Sequence, residues 1–282
     1  MEELWQTYKS TVWVEPFLVC SIILFILFSV ILFVLILISR KKTLKQEEQE
    51  KEYAEHIEKM LFSVVFDDVT YKDVKADEVY APLFTYPLFR RVLMRSVINL
   101  HQNYEGVYAK KLEKFYVDSH LIHDSFKRLK SRRWEVKCKG IKQLAEMNIS
   151  KASPSLIKLS HSRNKTLKIT AINACIKLNG TQGITHLVNH KDPIDNWTQL
   201  NIIDAFKKHD INDTEGIELL LFSKNSSVIS LGLKIMQSLY LPEKANHIHE
   251  LIGNAPNTLI QFEAQNVLKI LTTPGNNSND IF

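Results

Sequence analysis

Histidine and cysteine are the residues in this chain best able to hold a metal or act as nucleophiles, and there are ten of the first and three of the second. His186 and His190 stand four apart, close enough along one turn of helix to share a ligand. His120 with His123 and His247 with His249 form further pairs. A metal site needs three or four convergent donors, and no Cys, Asp or Glu at ligand spacing completes any of these pairs. The expectation is therefore solvated helix histidines, with no metal and no cofactor. Cys20 falls in an apolar run, and Cys138 and Cys175 fall on candidate helices, none at disulfide or metal spacing. They read as small core residues in a reducing compartment. Phosphate-binding Gly-rich loops, dinucleotide fingerprints, HExxH, nucleophile elbows and kinase signatures are absent from the sequence. The residue pattern points to a protein that is not an enzyme.

Charge is the stronger signal. The formal net charge is only +5, but it is unevenly placed. Residues 127–177 carry fourteen Lys and Arg against two acids, Glu135 and Glu146, while the segments on either side carry an acidic excess. The candidate partner-binding residues within this block are Arg132, Arg133, Trp134, Lys137, Lys139, Arg163, Lys165 and Lys168. Such a block is either a solvated helix face or an electropositive surface for an acidic protein, anionic lipid headgroups or nucleic acid.

The elements that would position it follow from a repeated apolar stripe. In residues 167–178, LKITAINACIKL, the stripe is Leu167, Ala171, Ala174, Cys175 and Leu178, one face of a helix. The same offsets give Val136, Gly140, Ile141, Leu144 and Met147 upstream. Downstream they give Thr198, Ile202, Ala205, Phe206 and His209, then Val228, Gly232, Ile235, Met236 and Leu239, then Ile260, Ala264, Val267, Leu268 and Leu271. First positions at 136, 167, 198, 228 and 260 set a period of 30–32 residues. A small residue at the second position (Gly140, Ala171, Gly232, Ala264) predicts close approach by a neighbouring helix. Shorter apolar patches at 156–159, 184–188, 217–221 and 248–252, framed by Pro and Gly breakers, predict a first helix in each period, both helices being about three turns long. The hydrophobic-basic openings Leu167–Lys168 and Val136–Lys137 and the Ala171–Ile172 pair resemble the second helix of the short bacterial HEAT-like repeat family. That resemblance covers residues 130–273 and implies an α-solenoid of about five helical hairpins.

Before the array, residues 17–39 run without a charge, long enough as a helix of about 35 Å to cross a bilayer core of about 30 Å. The basic cluster Arg40, Lys41, Lys42 and Lys45 follows the run instead of preceding it, which argues for an uncleaved anchor over a signal peptide. The positive-inside rule then places residues 1–16 outside, with Trp13 and Tyr8 at that interface, and everything after residue 39 in the cytoplasm at the inner membrane. Residues 40–60, dense in Lys, Glu and Gln, predict a charged juxtamembrane helix, whose only apolar seam is Leu44, Ile57 and Leu61. Residues 61–129 read as a divergent helical cap, with helices over 86–102, 107–117 and 121–129 and a polar loop at 67–78. Residues 274–282 read as a flexible tail. The fold class is thus all-α: one transmembrane helix followed by a solenoid of HEAT-like hairpins.

The function this organisation implies is a membrane-tethered scaffold that binds a protein partner, itself membrane-associated, as in an envelope-associated complex. The alternatives are a HEAT-like enzyme of the chromophore-lyase or DNA-glycosylase type, or an electrostatic binder of anionic lipid or nucleic acid. The glycosylase chemistry asks for an Asp over a basic groove, and the block at 127–177 contains no Asp. Nucleic acid is accordingly disfavoured, and the pattern sets no oligomeric state.

Overall fold

A computed structural model describes residues 2–209 and 214–273, with side chains described from residue 16 onward. The interface residues Tyr8 and Trp13 and the tail 274–282 lie outside the described side chains. Among the described residues the protein is 82 % helical and has no strands. It forms two compact units, one of residues 1–63 with 74–96 and one of residues 64–73 with 97–282.

The first unit is built on α1 (Glu2–Phe66). Its apolar stretch from Phe17 to Ile38 is exposed throughout, and it is the one helix among the described residues long and apolar enough to span a membrane. The helix does not stop at the end of that stretch, because residues 41–60 are strong helix formers. Ile57 and Leu61, expected on a seam, are instead buried in the unit's own core with Met60, Val74, Phe89, Val92, Leu93 and Met94. Tyr53 meets Phe89 edge-on at 5.5 Å, and Arg95 pairs with Glu50 at 3.3 Å. Only Leu44 of the seam stays exposed. Helix α3 (Pro87–Asn103) opens on a proline at its first position, where the missing N–H costs nothing. The expected loop at 67–78 contains a short helix, α2 (Tyr71–Ala76). Thr70 sits at its start, where its N–H and hydroxyl both donate to the Asp73 carboxylate at 2.8 and 2.7 Å.

In the second unit, α4 (Gly106–Asp118) and α5 (Leu121–Leu129) fall where the sequence places them. The stripe-bearing segments are α6 (Trp134–Glu146), α8 (Lys165–Asn179), α9 (Asn196–Lys208), α10 (Ser226–Ser238) and α12 (Thr258–Thr272). Their stripe residues are buried except for the half-buried Val136, Leu178, His209, Leu239 and Leu268. These five helices pack side by side in chain order. Starts meet starts, with Lys165 Nζ 3.3 Å from Asp195 and Asn257 Nδ2 donating to Ser226 Oγ at 3.0 Å. Ends meet ends, with Lys177 Nζ 2.6 Å from Glu146. They therefore run parallel. Close approach at the second stripe position is real: a Cβ on Gly140 would lie 2.8 Å from the Ser125 carbonyl, and one on Gly232 would lie 2.9 Å from Leu220 Cβ.

The first element of each period departs from expectation. Only α7 (Ser153–Ser160) and α11 (Ala245–Gly253) are α-helices, of 8 and 9 residues. The others are 3₁₀ segments at Gly180–Gly183, Thr185–Asn189 and Ile217–Phe222. A period of about 31 residues leaves little chain after a second helix of 13–15 residues and two turns, and the tighter 3₁₀ form covers more distance per residue, about 2.0 Å. Gly183 allows this, because a Cβ there would run into the backbone of Cys175.

Candidate binding edge and histidine cluster

The parallel helices share one edge at their starts. Asn164, Asp195, Asn225 and Asn257, spaced 31, 30 and 32 residues apart, are the N-caps of α8, α9, α10 and α12, while Arg133 at the start of α6 makes no side-chain cap bond. Their side-chain oxygens accept from Leu167, Thr198, Ser227 and Ile260 N–H at 2.9, 3.0, 3.1 and 2.9 Å. Each cap satisfies an orphan amide, and together they bring the positive ends of neighbouring helix dipoles into a row. The Thr198 amide, and then Lys165, hold the Asp195 carboxyl below its usual range.

Cations follow the same row. Arg132 and Arg133 precede α6, Arg163 and Lys165 flank the cap of α8, Lys191 precedes α9 and Lys224 precedes α10, all exposed. Lys165 pairs with Asp195, and Arg133 pairs loosely with Glu135 at 3.8 Å. Exposed pairs of this kind hold little energy. Trp134 is the exposed first residue of α6. Lys139 is exposed further along α6, while Lys137 and Lys168 are half-buried one turn in, at equivalent positions of α6 and α8. The structure thus gathers Arg132, Arg133, Trp134, Arg163 and Lys165 on one edge with Lys137 and Lys168 just behind it. Lys191 and Lys224 escaped the sequence reading because they sit in segments whose overall charge is acidic. The N-cap period was the signal that would have found them. At the opposite ends of the helices, Lys177 and Glu146 neutralise one another, and their charges flank His209, whose pKa is lowered chiefly by burial.

The histidines are the main correction. His186 and His190 are not solvated: His190 is buried, His186 is half-buried, and the His161 ring meets His186 edge-on at 5.7 Å and His190 at a tilt at 5.1 Å between ring centroids. His161 Nδ1 lies 3.0 Å from His190 Nδ1, so one of the two carries the shared proton. His186 Nε2 lies 2.8 Å from Ser160 Oγ, which donates to the Ile157 carbonyl. His186 Nδ1 and His190 Nε2 are buried without a partner. Burial pushes His186 down to about 4, and burial, then Lys168 and His161, lowers His190. The His186 and His190 rings are therefore neutral at pH 7. Among the described residues no three His, Cys, Asp or Glu converge as a metal set.

The buried thiol and phenol are equally unreactive. Burial raises Cys175 to about 12 and Tyr116 to about 12, and the Tyr116 hydroxyl donates to Ser125 Oγ at 2.8 Å. Compared with protein-family models, curated proteins and solved structures, the chain matches none.

Proposed function

We propose that this protein is a membrane-tethered binding scaffold. In this reading the exposed apolar part of α1 is a single-pass anchor in the inner membrane, with residues 1–16 outside and the rest cytoplasmic. The helices of the second unit form a HEAT-like solenoid, and the cation row of α6 and α8 grips an acidic, membrane-associated protein. The observation that supports it best is the coincidence of two independent features on one edge: aligned, capped helix starts and a line of exposed Arg and Lys. The Cys175 thiol, held protonated by burial, offers no thiolate nucleophile, which favours binding over catalysis.

The test is capture of partners from solubilised membranes by the full chain. Changing Arg132, Arg133, Lys137 and Lys168 together to Gln should leave the helical content intact, because Arg132 and Arg133 are exposed, where single cations contribute little, and the half-buried Lys137 and Lys168 are replaced by a polar side chain that favours helix. It should nevertheless abolish partners that the wild type holds at low salt and releases as salt screens the contact. Lys207→Gln with Lys208→Gln, at the far ends of the helices, is the control. Equal losses from both variants, or none from either, would remove the basic edge from the account.

A further inference from the structure

Beyond the basic block, the same edge changes character. Along α9, α10 and α12 it bears large apolar side chains held out in solvent: Trp197 is 66 % exposed, Leu200 59 %, Phe222 59 %, Leu259 72 % and Phe262 64 %. Trp197 and Leu259 lie in the first turn of their helices, Leu200 and Phe262 open the second turn, and Phe222 ends the 3₁₀ segment four residues before α10. Trp197 and Leu259 occupy the same position of the period, as do Leu200 and Phe262, so the pairs recur in register on α9 and α12. Between them α10 presents small hydroxyls, Ser226, Ser227 and Ser230, and the exposed Lys224. Lys191 and Lys224 also line a cleft of about 770 Å³ beside Phe222, where α10 begins. Asp192 is the exposed acid next to Lys191. Asp195 is occupied by its cap and Lys165, and Glu263 accepts from Ser230.

We infer that this stretch is a peripheral membrane-docking face that rests on an anionic leaflet. Protruding Trp, Phe and Leu beside Lys is the composition of an interfacial surface: the rings enter the headgroup region while the ammonium groups stay among phosphates. The cleft places Lys191, Lys224 and the positive end of α10 where a lipid phosphate would sit. A run of exposed apolar chains this extensive is rarely left in water. Here the chain carries its own span, which raises the local concentration of bilayer over any soluble partner. The inference rests on the anchor proposed above and is independent of the acidic protein partner.

The experiment uses the full chain in lipid nanodiscs, either neutral phosphatidylcholine or about one-third phosphatidylglycerol. The readout is quenching by brominated acyl chains, taken as the difference between wild type and Trp197→Phe, which isolates Trp197 from Trp5, Trp13 and Trp134. Trp197 emission should be quenched in anionic discs, recover at about 0.5 M NaCl and be little affected in neutral discs. Lys191→Gln and Lys224→Gln, both exposed, should each weaken docking about fivefold. Trp197 unquenched in anionic discs overturns the inference. So does Trp197 shielded in a salt-insensitive way together with concentration-dependent dimerisation, which would give the face to a second copy. Carbonate extraction of the chain from membranes tests the anchor separately: a fully extractable chain would remove the proposed function, whereas an anchored chain with unquenched Trp197 would remove only this docking face.

Discussion

Acid should destabilise this protein before its carboxylates begin to titrate, and His186 is the reason. In the folded chain burial holds the ring down to about 4, against 6.5 when unfolded. The unfolded state therefore binds more protons between those values. The stabilisation is fully present above about pH 6.5 and is lost as pH falls toward 4. At pH 5 the gap from the unfolded value is about 1.5 units, worth about 2 kcal/mol at 1.36 kcal/mol per unit. The ring is only partly buried, so solvent screening brings this to between about 1 and 2 kcal/mol. His190 and His209 are shifted the same way and add to the loss. Glu146, Asp195 and Glu218 have lowered values and unfolded values of 4.5 or 3.8, so their contributions begin to be lost only as pH falls through about 4.5 and 3.8, below pH 5. The assay is chemical unfolding of the full chain in detergent at pH 7 and pH 5, for wild type and His186→Gln. The variant keeps a hydrogen-bonding side chain beside Ser160 and cannot titrate. Its decrement should be smaller than that of the wild type by about 1–2 kcal/mol. Identical decrements would refute the reasoning about the cluster.

Three substitutions test the packing. Ala171 is fully buried on the stripe, so Ala171→Arg should unfold the second unit, an unpaired buried charge costing several kcal/mol, whereas Ala171→Ser should be mild. Thermal unfolding monitored by circular dichroism separates the two, and equal effects would place Ala171 outside the core. Gly183→Ala should cost about 2–3 kcal/mol, read as a fall in melting temperature, because its methyl meets the Cys175 backbone, which has no room to yield. Asn225→Ala should cost about 1 kcal/mol or more by denaturant titration, since it removes a cap and also the amide that donates to the His190 and Asp192 carbonyls.

The stripe was legible because five helices bury the same side, which leaves the same offsets in the sequence each time. Gly140 and Gly232 were legible for a related reason: a missing side chain at a fixed phase marks a contact. The first elements were not, because runs such as 184–188 are too short for a period to separate α-helix from 3₁₀. The α2 helix was readable in principle, from Thr70 and Asp73 three residues apart. The histidines misled because their environment is made at long range. His161 lies about one period before His190, and no local pattern announces that the two rings meet. The basic edge was half legible: counting charge along the chain found Arg132 to Lys168. Charge counting passed over Lys191 and Lys224, which lie in acidic segments and which only the N-cap period marks in the sequence; they are distant along the chain and neighbours in space.

The central claim, that the starts of α6 and α8 form a partner-binding surface, is tested most directly by site-specific photocrosslinking in intact cells. A benzophenone side chain placed at Trp134 or Arg163 should yield a discrete protein adduct, while the same group at Lys208, at the far end of α9, should yield none. The adducts should disappear when Arg132, Arg133, Lys137 and Lys168 are changed to Gln around the Arg163 probe. Equal adducts at Trp134, Arg163 and Lys208, or an absence of adducts at both edge positions, would contradict the claim.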